Sequence, residues 1–175
     1  MMNFNAIGPG KKAPEIVNVI IENSKGSNNK YEIDKESGLI KLDRVLYSAV
    51  HFPGDYGYIP ATLSEDGDPT DVLLLVSNPN HPGIWVEARP IAVLKMVDGG
   101  EQDNKILCVP DKDPRFKHIQ DLKDVTPHVL GEIANFFSTY KILQGKKVEV
   151  QGWEPATSAK EMIQQSIHTH SKKSK

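Results

Sequence analysis

Two periodicities divide the chain. Through the first two-thirds, apolar residues either alternate with polar ones or form short continuous runs, which predicts strands. Val17-Asn18-Val19-Ile20-Ile21-Glu22 is the first. Lys30-Tyr31-Glu32-Ile33-Asp34 and Leu39-Ile40-Lys41-Leu42-Asp43 alternate cleanly, with Glu36-Ser37-Gly38 as the turn between them. Further strands are predicted over 73–77, 84–88, 91–97, 105–109 and 148–152. Their lengths and spacing suit a small closed barrel better than a βαβ sheet. Later the period becomes helical. Val129, Leu130, Ile133, Ala134, Phe136, Phe137 and Tyr140 recur on one face. Thr126 offers an N-cap, Pro127 the first helical position and Gly145 a stop. A second helix is predicted over about 158–167, and the polar tail 168–175 is expected to be flexible and solvated. The expected fold is α+β and mainly β: one domain over 1–175, a small closed barrel with two C-terminal helices packed outside.

Composition narrows the function. The chain has 175 residues and a formal charge of −2, with 25% of residues charged. A global nucleic-acid footprint would need a strong basic excess. The single cysteine, Cys108, excludes an internal disulfide, and its strand-like neighbours make it a buried thiol rather than a nucleophile. Residues 1–10 lack the order of a signal peptide, and no apolar run reaches membrane-spanning length, so a cytoplasmic protein is expected. The six histidines show no zinc spacing backed by cysteines, and there is no Walker-type glycine loop or GxSxG motif.

The most informative segment is Asp66-Gly67-Asp68-Pro69-Thr70-Asp71, followed by the apolar run Val72-Leu73-Leu74-Leu75-Val76. Gly67 and Pro69 argue against a helix, so three carboxylates sit on a tight loop leading into the core. Such a stretch alone is an ordinary turn. Crowded like charges on a rigid scaffold call for a cation, and all-oxygen ligands favour Mg²⁺ or Mn²⁺ over zinc. A second acidic loop, Asp98-Gly99-Gly100-Glu101-Gln102-Asp103, joins two predicted strands and brings Asp98 near Asp103. Lys30 and Glu32 share a strand face, and Arg44, Lys105, Tyr140 and Lys141 supply groups suited to an anion. Lys141 would also favour the helix dipole. In His51-Phe52-Pro53-Gly54-Asp55-Tyr56-Gly57-Tyr58, glycine and proline interleave with aromatics; Tyr58 is read as barrel-corner packing.

Taken in order, these residues resemble the soluble, Mg²⁺-dependent inorganic pyrophosphatases built on an OB-like barrel. The likeness runs from about Pro14 to Trp153. It rests on Lys30-Tyr31-Glu32-Ile33-Asp34-Lys35, Asp43-Arg44, Tyr56-Gly57, the 66–71 loop, Asp98 with Asp103 and Lys105, and Phe136-Phe137 with Tyr140-Lys141. The resemblance implies hydrolysis of pyrophosphate by metal-activated water, without a covalent intermediate. Asp66, Asp71, Asp98, Asp103, Glu32 and Glu22 would hold or face several Mg²⁺ ions. Asp68 would accept a proton from the attacking water. Lys30, Arg44, Lys105, Tyr140 and Lys141 would bind phosphate oxygens, and Tyr56 would position the nucleophile and one phosphate. A homohexamer is implied, with neither nucleic acid nor membrane as partner. Two positions depart from the family pattern: Phe52 replaces a usual tyrosine, and Thr70 replaces a usual aliphatic residue, so its hydroxyl needs a partner. The alternatives are a barrel that binds single-stranded nucleic acid and another Mg²⁺-dependent phosphohydrolase.

Overall fold

The computed structural model describes residues 4–34 and 36–173. Lys35, part of the resemblance motif, and Ser174 and Lys175 of the tail lie outside the described residues.

The predicted barrel is present. Among the described residues nine strands form: β1 (Val17–Asn23), β2 (Asn29–Ile33), β3 (Ile40–Val45), β4 (Asp55–Tyr58), β5 (Asp71–Leu74), β6 (Trp85–Asp98), β7 (Glu101–Gln102), β8 (Lys105–Pro110) and β9 (Val148–Pro155). Five of them close a ring in the order β1-β4-β5-β8-β6, because β6 pairs back onto β1 through Val17↔Ala88 to Ile20↔Trp85. Every neighbour in the ring is antiparallel except β5 and β8. Closure leaves the ring without an unpaired edge. β9 lies along the outer half of β6, and β2–β3 is a separate two-stranded hairpin.

Several sequence expectations shift. The strands expected over 84–88 and 91–97 are one continuous β6, and Pro90, which has no N–H to donate, falls at a register break opposite β8. The strand expected at 73–77 begins at Asp71, inside the acidic loop, and ends at Leu74. β4 was not expected; its Tyr-Gly-Tyr core gave no clean alternation.

Consecutive residues of β5 and β8 supply different apolar clusters. Leu73 and Leu107 pack with Phe136 and Phe137 of α1 (Pro127–Thr139). Val72, Leu74, Ile106 and Cys108 pack with Ala159 and Ile163 of α2 (Ala156–Lys173). Each helix therefore packs with a different one of the two apolar clusters that these strands supply. Pro127 takes the first-turn position, but the Thr126 side chain makes no capping bond. α1 stops at Thr139, and Gly145, in the left-handed conformation, ends the short 3-10 turn that follows. α2 starts earlier than expected and continues past Ile167 to Lys173, carrying His168 and His170 on its polar last turns. No helix among the described residues is long and apolar enough to cross a membrane.

The β1–β4 crossing depends on Gly57. A Cβ there would stand 1.8 Å from the Ile20 carbonyl oxygen. Gly57→Ala should cost about 3 kcal/mol or more in urea unfolding, because main chain cannot yield as a flexible side chain can. The contrasting change Gly131→Ala, on an exposed turn of α1 with open space around it, should gain ~0.5–1 kcal/mol.

Candidate active site

The topology brings the candidate residues to one end of the barrel. Asp71 is the first residue of β5 and Lys105 the first of the parallel β8; Asp98 is the last of antiparallel β6. A cavity of about 550 Å³ opens there. Every predicted site residue except Arg44 lines it: Glu22, Lys30, Glu32, Tyr56, Asp66, Asp68, Asp71, Asp98, Asp103, Lys105, Tyr140 and Lys141. Arg44 sits beside the cavity, across the hairpin from Lys30, and pairs with Asp43. Tyr58, read from sequence as packing alone, also lines the cavity, as do Asp34 and Glu101. Tyr58 faces Asp71 in the β4–β5 register, a relation that only strand pairing reveals.

The acidic loop is fixed by its hydroxyls. Thr62 Oγ1 donates to the Ile59 carbonyl at 2.5 Å and accepts from Thr70 N–H at 2.9 Å. Ser64 and Thr70 hydroxyls share a hydrogen bond of 3.1 Å. Asp66 Oδ1 accepts from Asp68 N–H, an Asx-type turn that holds two carboxylates at the tip. Leu63 N–H donates to the Ser166 carbonyl, tying the loop to α2. The second acidic loop is a two-residue hairpin. Gly99 and Gly100 both have positive φ, and Asp98 pairs with Glu101.

Lysines thread between the carboxylates. Lys105, 3% exposed, places Nζ 2.5 Å from Asp71 Oδ2 and also pairs with Asp103. Burial works against its charge, but Asp71 and Asp103 outweigh it and hold the ammonium above the ordinary lysine range. Lys141, just beyond α1, pairs with Asp98 at the end of β6. Lys30 pairs with Glu32 and lies 3.6 Å from Asp43. As placed, no three acids, histidines or cysteines among the described residues already surround one point closely enough to hold an ion. The donor set nevertheless suits a hard divalent cation, since the lining contains neither histidine nor cysteine, and Asp71 with Asp103 already shares one cation.

Aromatic rings support this end of the barrel. Phe52 stacks on Tyr56 with centroids 5.5 Å apart, and Phe136 packs on Phe52, Phe137 and Tyr140. Lys105 Nζ lies 5.9 Å from the Tyr56 centroid and 6.0 Å from that of Phe137. Burial, then Asp71 and Asp103, push the Tyr56 phenol well up. Burial raises Tyr140 also, against Lys141 and Lys105, so both rings keep their protons and can donate. Asp66 is raised by burial and by the carboxylates of Asp103, Asp71 and Asp68.

Comparison with known proteins fits this geometry. The family model for inorganic pyrophosphatase matches residues 19–171. The chain belongs to the inorganic pyrophosphatase family. It is 52% identical over 150 residues to the inorganic pyrophosphatase of Halalkalibacterium halodurans, covering 86% of this chain and 92% of that one. It is 48% identical over 162 residues to that of Nostoc sp., covering 93% and 96%. The crystal structure of the Thermus thermophilus inorganic pyrophosphatase superposes with a TM-score of 0.94 at 46% identity, covering 97% of this chain and 99% of that one. Such pyrophosphatases depend on divalent metal ions.

The two departures from the inorganic pyrophosphatase pattern have clear structural settings. Thr70 is 1% exposed, and its hydroxyl finds the partner it needs in Ser64. Phe52 lies behind Tyr56 in the aromatic cluster and does not line the cavity.

Glu22 carries a measurable signature. Burial pushes its carboxyl from 4.5 up to about 7; the Ile33 N–H pulls it partly back, and Asp71 raises it again. A folded-state value above the unfolded one favours the protonated fold. That contribution is complete below about 4.5 and is lost as pH rises through about 7. In the presence of EDTA, Glu22→Gln should therefore gain stability relative to the unsubstituted chain between these values and level off above. Denaturant unfolding from pH 4 to 8 measures it; a pH-independent difference would contradict this account of Glu22.

Proposed function

We propose that the chain hydrolyses inorganic pyrophosphate to two orthophosphates in this cavity, acting as a single catalytic domain in the cytoplasm. The observation that supports this most is the interleaving of acids and bases in one cavity: Asp71, Asp98 and Asp103 alternate with Lys105, Lys141 and Lys30. Acids alone would repel a polyphosphate, and bases alone would not hold cations. Both together suit a phosphoanhydride that arrives with metal ions.

Asp66, Asp71, Asp98, Asp103, Glu32 and Glu22 would hold or face Mg²⁺, the proposed cofactor. Mg²⁺ when bound would offset the charge of pyrophosphate and make a water molecule acidic near neutral pH. The remaining chemistry belongs to side chains. Asp68, at the exposed loop tip, accepts the proton of the attacking water. The water oxygen bonds to one phosphorus, and the bridging P–O bond breaks with its electron pair leaving on the departing orthophosphate. Lys30, Arg44, Lys105 and Lys141 pair with phosphate oxygens, exchanging their present carboxylate partners for the substrate. Tyr140 donates to the same anion. Tyr56, hydrogen-bonded to Asp71, holds the nucleophile's side of the cavity. No Ser, Cys or His nucleophile is needed, and none lines the cavity among the described residues. Positioning and charge stabilisation carry the acceleration. By family resemblance we also propose a homohexamer, which light scattering would test.

Phosphate release from pyrophosphate, ATP and tripolyphosphate with Mg²⁺ tests the function. Pyrophosphate should be strongly preferred, and equal release from ATP would instead indicate a nucleotide phosphohydrolase. Asp71→Ala should abolish turnover while far-UV circular dichroism stays unchanged. Asp68→Asn should lower kcat at least ~100-fold, the scale of general-base catalysis, while Mg²⁺ titration changes far less. Equal losses would make Asp68 a ligand.

A further inference from the structure

The β2–β3 hairpin carries Lys30, Glu32 and Arg44, yet it pairs with no strand of the barrel. Two side chains at the end of β1 bind its first strand directly. Glu22 Oε1 accepts from Ile33 N–H at 2.8 Å. Asn23 uses both ends of its amide on one residue: Nδ2 donates to the Tyr31 carbonyl at 3.0 Å, and Oδ1 accepts from Tyr31 N–H at 2.6 Å. The register of β1 against β4 shifts between Ile21 and Asn23, so Asn23 follows a bulge. It is 0% exposed. A primary amide is a peptide analogue, and here it takes the part of a missing strand opposite Tyr31. Tyr31 stands between Lys30 and Glu32, so fixing its main chain fixes both cavity-facing neighbours.

We propose that Asn23 is a positioning residue for substrate binding: its side-chain amide clasps Tyr31 and holds the hairpin where Lys30 and Glu32 face the cavity. Removing the clasp leaves Tyr31 N–H and C=O without this partner and shifts the hairpin toward undocked conformations. Apparent affinity falls by the fraction that remains docked, while saturating substrate restores the docked form. The loss therefore belongs in KM rather than kcat. This rests on the pyrophosphatase reading for its kinetic arm, whereas the exchange arm does not.

The test uses Asn23→Leu, which keeps the branching of the side chain but has no hydrogen-bonding atoms, and Asn23→Ala, which cannot overpack. Steady-state kinetics with pyrophosphate at saturating Mg²⁺ should show KM raised about tenfold, a docked fraction of about one-tenth, with kcat within about threefold. Amide hydrogen exchange should show protection lost at Tyr31 and Ile33 but kept at Leu73 and Leu107 in the barrel. Unchanged KM with unchanged exchange in β2 overturns the proposal. Loss of protection in β5 and β8 together with β2 also overturns it, since Asn23 would then be a general stabiliser. Absence of turnover in the unsubstituted chain would defeat the pyrophosphatase reading itself and leave the exchange result to decide the clasp.

Discussion

Lys105 between Asp71 and Asp103 is the contact on which the active end of the barrel depends. Parallel pairing of β5 with β8 starts both strands at the cavity, so their first residues, Asp71 and Lys105, meet at the edge of the core. Two carboxylates in that setting repel each other unless a cation stands between them. The buried ammonium meets this requirement, and its own burial is tolerable only because two acids surround it. The balance also makes the site exchangeable. A divalent cation can take the carboxylates, and an anionic substrate can take the lysine, with no charge left buried and alone.

Around this centre the supporting parts differ in stiffness. The aromatic cluster of Phe52, Tyr56, Phe136, Phe137 and Tyr140 is packed into the core and fixes Tyr56 and Tyr140. The 66–71 loop is exposed at Asp66 and Asp68 but pinned at its base by the hydroxyls of Thr62, Ser64 and Thr70 and, through Leu63, by α2. The β2–β3 hairpin joins no ladder of the barrel and is bound along β2 by the side chains of Glu22 and Asn23. Such a gradient leaves Asp71, Asp103 and Lys105 anchored at the core and lets Lys30, Glu32 and Arg44 of the hairpin adjust.

The chain's chemistry was legible in sequence because acids, glycines and prolines at short spacing carry their meaning locally. Gly67 and Pro69 mark a tight acidic turn that leads into a strand, and Gly99-Gly100 marks a hairpin. Four of the five ring strands and both helices were readable from their pattern. β4 was not, since Tyr56-Gly57-Tyr58 has no alternation, and its place is set by a close approach to Ile20 that only Gly permits. Nor was the unity of β6, where Pro90 looks like a break until a register shift absorbs it.

Periodicity and local turn chemistry thus determined most of the segments that would be strand, helix or acidic loop, and the order of charged residues carried the family resemblance. Tertiary structure alone decided who meets whom. That Lys105 lies between Asp71 and Asp103, that Tyr58 joins the cavity wall, that Arg44 stays beside it and that Asn23 holds Tyr31 all follow from ring closure and strand register. Those depend on contacts between residues far apart in the chain, and no local pattern encodes a distance between two segments until the core between them has packed.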